Sequence, residues 1–160
     1  SRTRFPRGTP GPMLDAIARA PLWAEGLDFG HGTGHGVGYF LNVHEGPQSI
    51  SKTTPDAHMG MEPGMITSIE PGLYRVGQWG VRIENLVLNV PAPSDGCGEF
   101  LQFETLTLCP IDTRCIERSL LRDDEVAWLN DYHAEVRRRL ARHVSGAALA
   151  WLEARTEPLL

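Results

Sequence analysis

Two histidines, His31 and His35, stand in FGHGTGHGVGYFLNVHEGP, residues 29–47, where glycine occupies positions 30, 32, 34, 36 and 38. Five alternating glycines would cost a helix about 4–5 kcal/mol relative to alanine, so the run is expected to be extended. In an extended chain alternate side chains share a face, which puts His31, Thr33 and His35 together and leaves the bare glycine face open to another backbone or a ligand. His44 lies nine residues beyond His35, the opposite parity, so it joins the other imidazoles only if the chain bends near Asn42. The spacing misses the dinucleotide fingerprint, because His35 and Tyr39 stand where its third glycine would fall, and there is no phosphate-loop motif. Each histidine could instead be a hydrogen-bonded structural residue.

Two carboxylates in strand-like surroundings extend the set: Glu70 in MITSIEPG and Glu84 in GVRIENLVLNV. On a regular strand Glu84 shares its face with Leu86 and Leu88, and an ionised carboxylate among apolar side chains needs a cation close by. Arg82, two positions back on that face, could answer it as a plain ion pair; so could a metal. Glu70 precedes Pro71-Gly72, a strand end where ligands are commonly presented, although an edge carboxylate can equally face solvent. Glu104 in FETLTL is a bystander among apolar neighbours. One imidazole and two carboxylates with no thiolate suit manganese, cobalt, zinc or iron, and the chemistry suggested is metal-assisted hydrolysis. Three donors rarely satisfy two ions, so the set looks incomplete.

The elements that must position these groups follow from periodicity. Residues 10–25 read as a short covering helix, with Thr9 as cap, Pro10 and Pro12 in the first turn, and Leu14, Ile17 and Ala18 at helical spacing until Pro21 interrupts. Strands are expected at 35–44, 65–70, 81–90 and 100–108, with PAPSDGCG at 91–98 as a surface loop. After Pro110 an apolar stripe of Val126, Leu129, His133, Val136 and Leu140 is flanked by Asp123, Asp124 and Glu125 at its start and by Arg137, Arg138, Arg139 and Arg142 at its end. That order complements a helix dipole. A second short helix is expected at about 145–155, with Ser145 as cap.

The chain has 160 residues, 41% of them hydrophobic and 22% charged, which is ordinary globular usage and excludes disorder, collagen and coiled coil. A formal charge of -5 supplies no basic face for a nucleic-acid partner. No apolar run approaches the length of a membrane span. The start does not read as a secretory signal, and a first residue other than Met reads as a processed or cut end. Cys97, Cys109 and Cys115 form no paired spacing and read as free thiols in a reducing compartment, consistent with a cytoplasmic protein.

HGTGHGVGYFLNVHEGPQ, ITSIEPGLY, GVRIENLVL, FETLTLCPID and the WLNDYH helix together resemble, in order and spacing, the C-terminal half of the Xaa-Pro aminopeptidases (aminopeptidase P) among the pita-bread metallopeptidases, family M24. The resemblance implies an α+β fold: residues 1–112 as the C-terminal part of a creatinase/aminopeptidase-like catalytic domain with a mixed or antiparallel sheet, and 113–160 as a helical C-terminal extension. It implies two divalent metal ions, Mn2+ foremost with Zn2+ or Co2+ as alternatives, held in part by His35, Glu70 and Glu84. His31 and His44 match non-ligand histidines that contact substrate, Arg82 an arginine of the metal-site network, and Glu70 the proton acceptor when a metal-activated water attacks the carbonyl before proline. The implied partners are peptides with penultimate proline, a second copy of the chain as a homodimer, and the N-terminal portion of the enzyme. That portion carries the two aspartate ligands in the resembling enzymes; Asp15 and Asp28 lack their context. The chain alone is therefore expected to bind metal poorly and to be inactive. An inactive pita-bread peptide- or protein-binding module and a prolidase-type dipeptidase are the alternatives.

Overall fold

In the computed structural model residues 1–40, 42–53 and 59–160 are described. The chain divides into two compact units, Ser1–Thr107 and Leu108–Leu160.

The first unit is built on a four-stranded antiparallel sheet. Its strands are β1 (Arg4–Pro6), β8 (Phe100–Thr105), β7 (Asn85–Ala92) and β4 (Ile66–Ile69), hydrogen-bonded in that order. Phe5 lies opposite Leu101, and Ile66 to Ile69 run antiparallel to Leu88 to Asn85. Two short pairs flank the sheet: β2 (Gly34–His35) with β3 (Ser49–Ile50), and β5 (Gly72–Arg75) with β6 (Trp79–Arg82). A bridge from Gly36 to Thr67 ties the first pair to β4. Helix α1 (Gly11–Ala24) lies on β3, and Gly11 fits because a Cβ there would fall 1.7 Å from the Ser49 carbonyl oxygen. Phe5, Leu14, Ile50, Met61 and Leu101 form the core of this unit, with Ile69 and Phe103 packed against it.

Several expectations change in this unit. Pro10, not Thr9, occupies the N-cap of α1, while the Thr9 hydroxyl donates back to the Pro6 carbonyl. Pro21 lies inside the helix, which runs on to Ala24. The strand predicted over 35–44 is only Gly34–His35, because the chain then doubles back: the Gly38 N–H donates to the Asn42 carbonyl and the Glu45 N–H to the Gly36 carbonyl. Leu41, within that range, lies outside the described residues. The segment before it is not regular strand either, so the expected parity fails at Thr33, which turns inward and is buried. The strand predicted over 81–90 is interrupted at Ile83–Glu84, between β6 and β7. Glu84 is therefore exposed at a strand break rather than held on a face with Leu86 and Leu88.

The second unit is helical. Two 3-10 turns, Thr113–Cys115 and Arg118–Leu120, take N–H bonds on the Asp112 and Glu117 carboxylates. Helix α2 (Asp123–Leu140) follows with its acidic first turn and basic last turn, and Glu125 reaches back to the Arg122 N–H at 3.0 Å. Helix α3 (Gly146–Arg155) begins after Ser145, whose side chain accepts no capping hydrogen bond. Tyr132, Val136 and Leu152 form the core here, backed by Leu108, Ile111 and Leu140. Two polar contacts pin the incoming chain to α2: the Tyr132 hydroxyl donates to the Cys109 carbonyl, and His133 Nε2 accepts the Ile111 N–H at 3.0 Å.

Candidate metal and peptide site

The close approach of β2 to β4 comes first, because it is what a side chain at Gly34 would prevent. A Cβ at Gly34 would lie 1.8 Å from the Ser68 carbonyl oxygen, and one at Gly36 2.1 Å from that of Glu45. With both positions bare, the Glu70 N–H reaches the Thr33 carbonyl at 2.7 Å and the His35 N–H reaches Ser68 Oγ at 3.0 Å. The same Ser68 hydroxyl donates to Glu70 Oε1 at 2.9 Å. One serine thus sets the carboxylate against the backbone of the histidine.

His35 Nε2 then lies 3.1 Å from Glu70 Oε1. The other ring nitrogen, Nδ1, is 3.0 Å from the Gly36 carbonyl oxygen, an acceptor, so Nδ1 carries the proton of the neutral ring. In the neutral ring that leaves the Nε2 lone pair facing a carboxylate oxygen, a contact that needs a positive charge between the two atoms, either a proton on Nε2 or a metal ion. A histidine whose second nitrogen donates to a backbone carbonyl is the usual form of a metal-ligating imidazole. His44 joins the group through the reversal at 38–45, its ring 4.2 Å from that of His35.

On the far side of Glu70 stands Arg82, whose Nη1 donates to Glu70 Oε2 at 3.2 Å. Its Nε donates to the Tyr74 hydroxyl at 2.9 Å, and Tyr74 lies 2.8 Å from His31 Nε2. His31 Nδ1 faces the Gly32 carbonyl oxygen at 2.8 Å, so the hydrogen bonds run in one direction, from Arg82 through Tyr74 to His31. The Tyr74 hydrogen bond, with the charges of Glu70 and Glu84, raises the Arg82 pKa above its ordinary value. A continuous surface therefore links His44, His35, Glu70, Arg82, Tyr74 and His31.

Of the residues singled out in the sequence, His31, His35, His44, Glu70 and Arg82 come together. Glu84 acts on the group through its charge on Arg82, which also pairs with Glu70, and Glu104 is exposed on β8. Among the described residues no cluster of three or more His, Cys, Asp or Glu side chains forms a complete metal cage. His35 and Glu70 nevertheless fit a hard divalent ion by donor chemistry. Asp15 and Asp28 are committed elsewhere: Asp15 to Arg19 and Thr33, and Asp28 to Arg19 and Lys52. The Lys52 ammonium, above all, holds the Asp28 carboxyl below the usual carboxylate range.

Sequence reasoning missed Ser68, Tyr74 and Arg19. Ser68 was readable, since it shares the strand face of Glu70 two positions on. Tyr74 carried a fainter signal: Gly80 is its partner across the β5–β6 pair, and Gly72 precedes it by two, leaving space for a large ring. Arg19 is four residues after Asp15 on the helix, a spacing that brings opposite charges together.

Antiparallel sheets with helices, the glycine-lined approach of β2 to β4 and the imidazole–carboxylate contact mark an α+β module of the pita-bread kind. Residues 2–90 match the model of metallopeptidase family M24, and residues 99–159 match the C-terminal region of peptidase M24. The chain belongs to metallopeptidase family M24. It is 47% identical over 160 residues to the Coprinopsis cinerea protein named "Probable Xaa-Pro aminopeptidase P", covering 97% of this chain and 26% of that one. It is 50% identical to aminopeptidase P2 of Arabidopsis thaliana, over 97% of this chain and 22% of the relative. The X-prolyl aminopeptidase of Caenorhabditis elegans, described as a cytosolic enzyme with a di-nuclear active site, superposes with a TM-score of 0.90 at 42% identity, over 99% of this chain and 26% of that structure. The chain spans about a quarter of the length of the relatives it matches.

Proposed function

We propose that this chain contributes part of the metal site of an Xaa-Pro aminopeptidase, which releases the residue ahead of a penultimate proline. The observation that carries the reading is the seating of the His35 ring, its Nδ1 on the Gly36 carbonyl and its Nε2 turned to Glu70 Oε1 at 3.1 Å. His35 and Glu70 would hold a divalent ion, Mn2+ foremost, with Glu84 as the third donor by its place in the sequence pattern. Bound there, the metal supplies Lewis-acid polarisation and a nucleophile at neutral pH. Glu70 accepts the proton of the attacking water. Arg82 and Ser68 orient that carboxylate. His44, exposed beside His35, donates a hydrogen bond to the substrate, and His31, fixed as the Nδ1–H tautomer, contacts the peptide at the other end of the same surface.

A cytosolic location, an assembly as a homodimer and a site completed by two further carboxylates belong to the same reading. Support for it is the high identity to Xaa-Pro aminopeptidases and the commitment of Asp15 and Asp28 to cations of the fold. The test is calorimetric titration with Mn2+ and an assay of Arg-Pro-Pro cleavage, on this chain and on the protein extended to its relatives' length. Weak binding without turnover is expected of the chain alone, and metal-dependent release of Arg from the longer protein. In the longer protein Glu70→Gln lowers kcat by about 10²–10⁴-fold. Two tightly bound ions with turnover from the chain alone, or a longer protein indifferent to Mn2+, would contradict the proposal.

A further inference from the structure

We infer that Arg19 of α1 is a positioning residue that sets the placement of His31, and with Asp15 fixes the approach to His35. The inference deepens the peptidase reading and rests on it for its catalytic meaning.

Arg19 is 1% exposed, yet every polar contact it makes serves the segment just before the site or the residue that anchors it. Its Nε donates to Asp15 Oδ2 at 2.7 Å, one helical turn back. Nη1 donates to Asp28 Oδ1 at 2.5 Å and to the Phe29 carbonyl at 2.8 Å, and Nη2 donates to the His31 carbonyl at 2.5 Å. Its guanidinium carbon lies 3.8 Å from the centroid of the Phe29 ring, which in turn lies 4.9 Å from the ring of His31. His31 is thus held from its main chain directly and from its ring through Phe29. Asp15 completes the arrangement, its Oδ1 accepting the Thr33 hydroxyl at 2.7 Å and the Thr33 N–H at 3.3 Å. Residues 28–33 are bound at both ends to a single turn of α1, and Gly34–His35 follows at once.

A buried Asp–Arg pair is a poor way to gain stability, since apolar residues of the same volume often serve the fold as well or better. What the pair supplies is direction. The guanidinium is a planar fork whose donors leave at fixed angles, so one side chain sets a carboxylate and two carbonyls in a defined relation. Lysine carries the charge without the fork.

The test follows the imidazoles themselves. Ring 1H–13C resonances of histidine are recorded for this chain and for two variants: Arg19→Lys, and the double variant Asp15→Leu/Arg19→Met, which exchanges the ion pair for an apolar one. Both are expected to shift or double the His31 signal and to leave His133 and His143 unmoved, while the double variant, which also strips the Thr33 hydroxyl and the Phe29 and His31 carbonyls of these partners, melts below the parent temperature. A role confined to stability would change melting and leave the His31 resonance in place. A folded variant with an unaltered His31 signal overturns the inference, and so does failure of both variants to fold. In the longer protein Arg19→Lys should lower kcat for Arg-Pro-Pro about 10–100-fold with KM little changed. Absence of turnover in the unsubstituted longer protein would count against the peptidase reading, while the resonances still decide the role of Arg19.

Discussion

Substituting Gly34 by alanine is the sharpest perturbation of the architecture that carries the site. The added Cβ would stand 1.8 Å from the Ser68 carbonyl oxygen, where a carbon–oxygen contact needs about 3.3 Å, so β2 must move away from β4 by about 1.5 Å. A movement of that size takes the Glu70 N–H, now 2.7 Å from the Thr33 carbonyl, and the His35 N–H, 3.0 Å from Ser68 Oγ, out of hydrogen-bonding range. Leaving such groups unpaired costs about 1–3 kcal/mol each. With the strain added, Gly34→Ala is expected to destabilise by about 3–5 kcal/mol and to lower the melting temperature by more than about 10 °C. Gly30→Ala is the control: it lies in the same glycine run, but a Cβ there meets nothing within 4 Å, and its cost should stay within about 0.5 kcal/mol. Urea unfolding followed by circular dichroism measures both. Equal effects from the two substitutions, or a Gly34→Ala protein as stable as its parent, would refute the argument that β2 is seated by the missing side chain.

Three further outcomes follow from other parts of the molecule. Leu101→Ala, at a position 1% exposed in the core of the first unit, should cost about 2–5 kcal/mol in chemical denaturation. Burial, joined by the charge of Arg137, lowers the pKa of His133 from its ordinary value. In the unfolded chain that ring takes up a proton at higher pH, so its contribution to the helical unit is complete above the ordinary imidazole range and is lost as pH falls through that range towards the lowered folded value. Thermal melts from pH 8 to pH 5 should show this loss in the parent and a smaller one in His133→Gln; parallel curves would count against it. Tyr74→Phe removes the hydroxyl donor to His31 Nε2 while the Gly32 carbonyl still holds Nδ1–H, so the His31 15N shifts should keep the Nδ1–H tautomer with the Nε2 signal displaced; an unmoved Nε2 signal would refute the Tyr74 contact.

The helices were legible because one face of each is apolar and their charges are ordered along the axis, as from Asp123 to Arg139. The extended character of the glycine run was legible too, from the cost of glycine in a helix and from alternation. What alternation could not give was where a strand stops. Nothing in the side-chain pattern of 35–44 announces that the Glu45 N–H will return to the Gly36 carbonyl, yet that bond brings His44 beside His35. The break at Ile83–Glu84 was hidden in the same way, because Arg82, Glu84, Leu86 and Leu88 keep perfect period-two spacing across it. Ion pairs between distant segments, such as Arg19 with Asp28, depend on tertiary placement and leave only their local half, Asp15 with Arg19, in the sequence.

The seat of Tyr74 has an evolutionary consequence. A Cβ at Gly72 would fall 2.2 Å from the tyrosine oxygen, and one at Gly80 2.7 Å from its ring. Three positions are therefore locked into joint variation: neither glycine can drift while the phenol remains, and a smaller residue at 74 would release both at once. A combinatorial library randomised at 72, 74 and 80 and sorted for folding should return glycine at 72 and 80 wherever tyrosine stands at 74, and a freer choice at both where residue 74 is small.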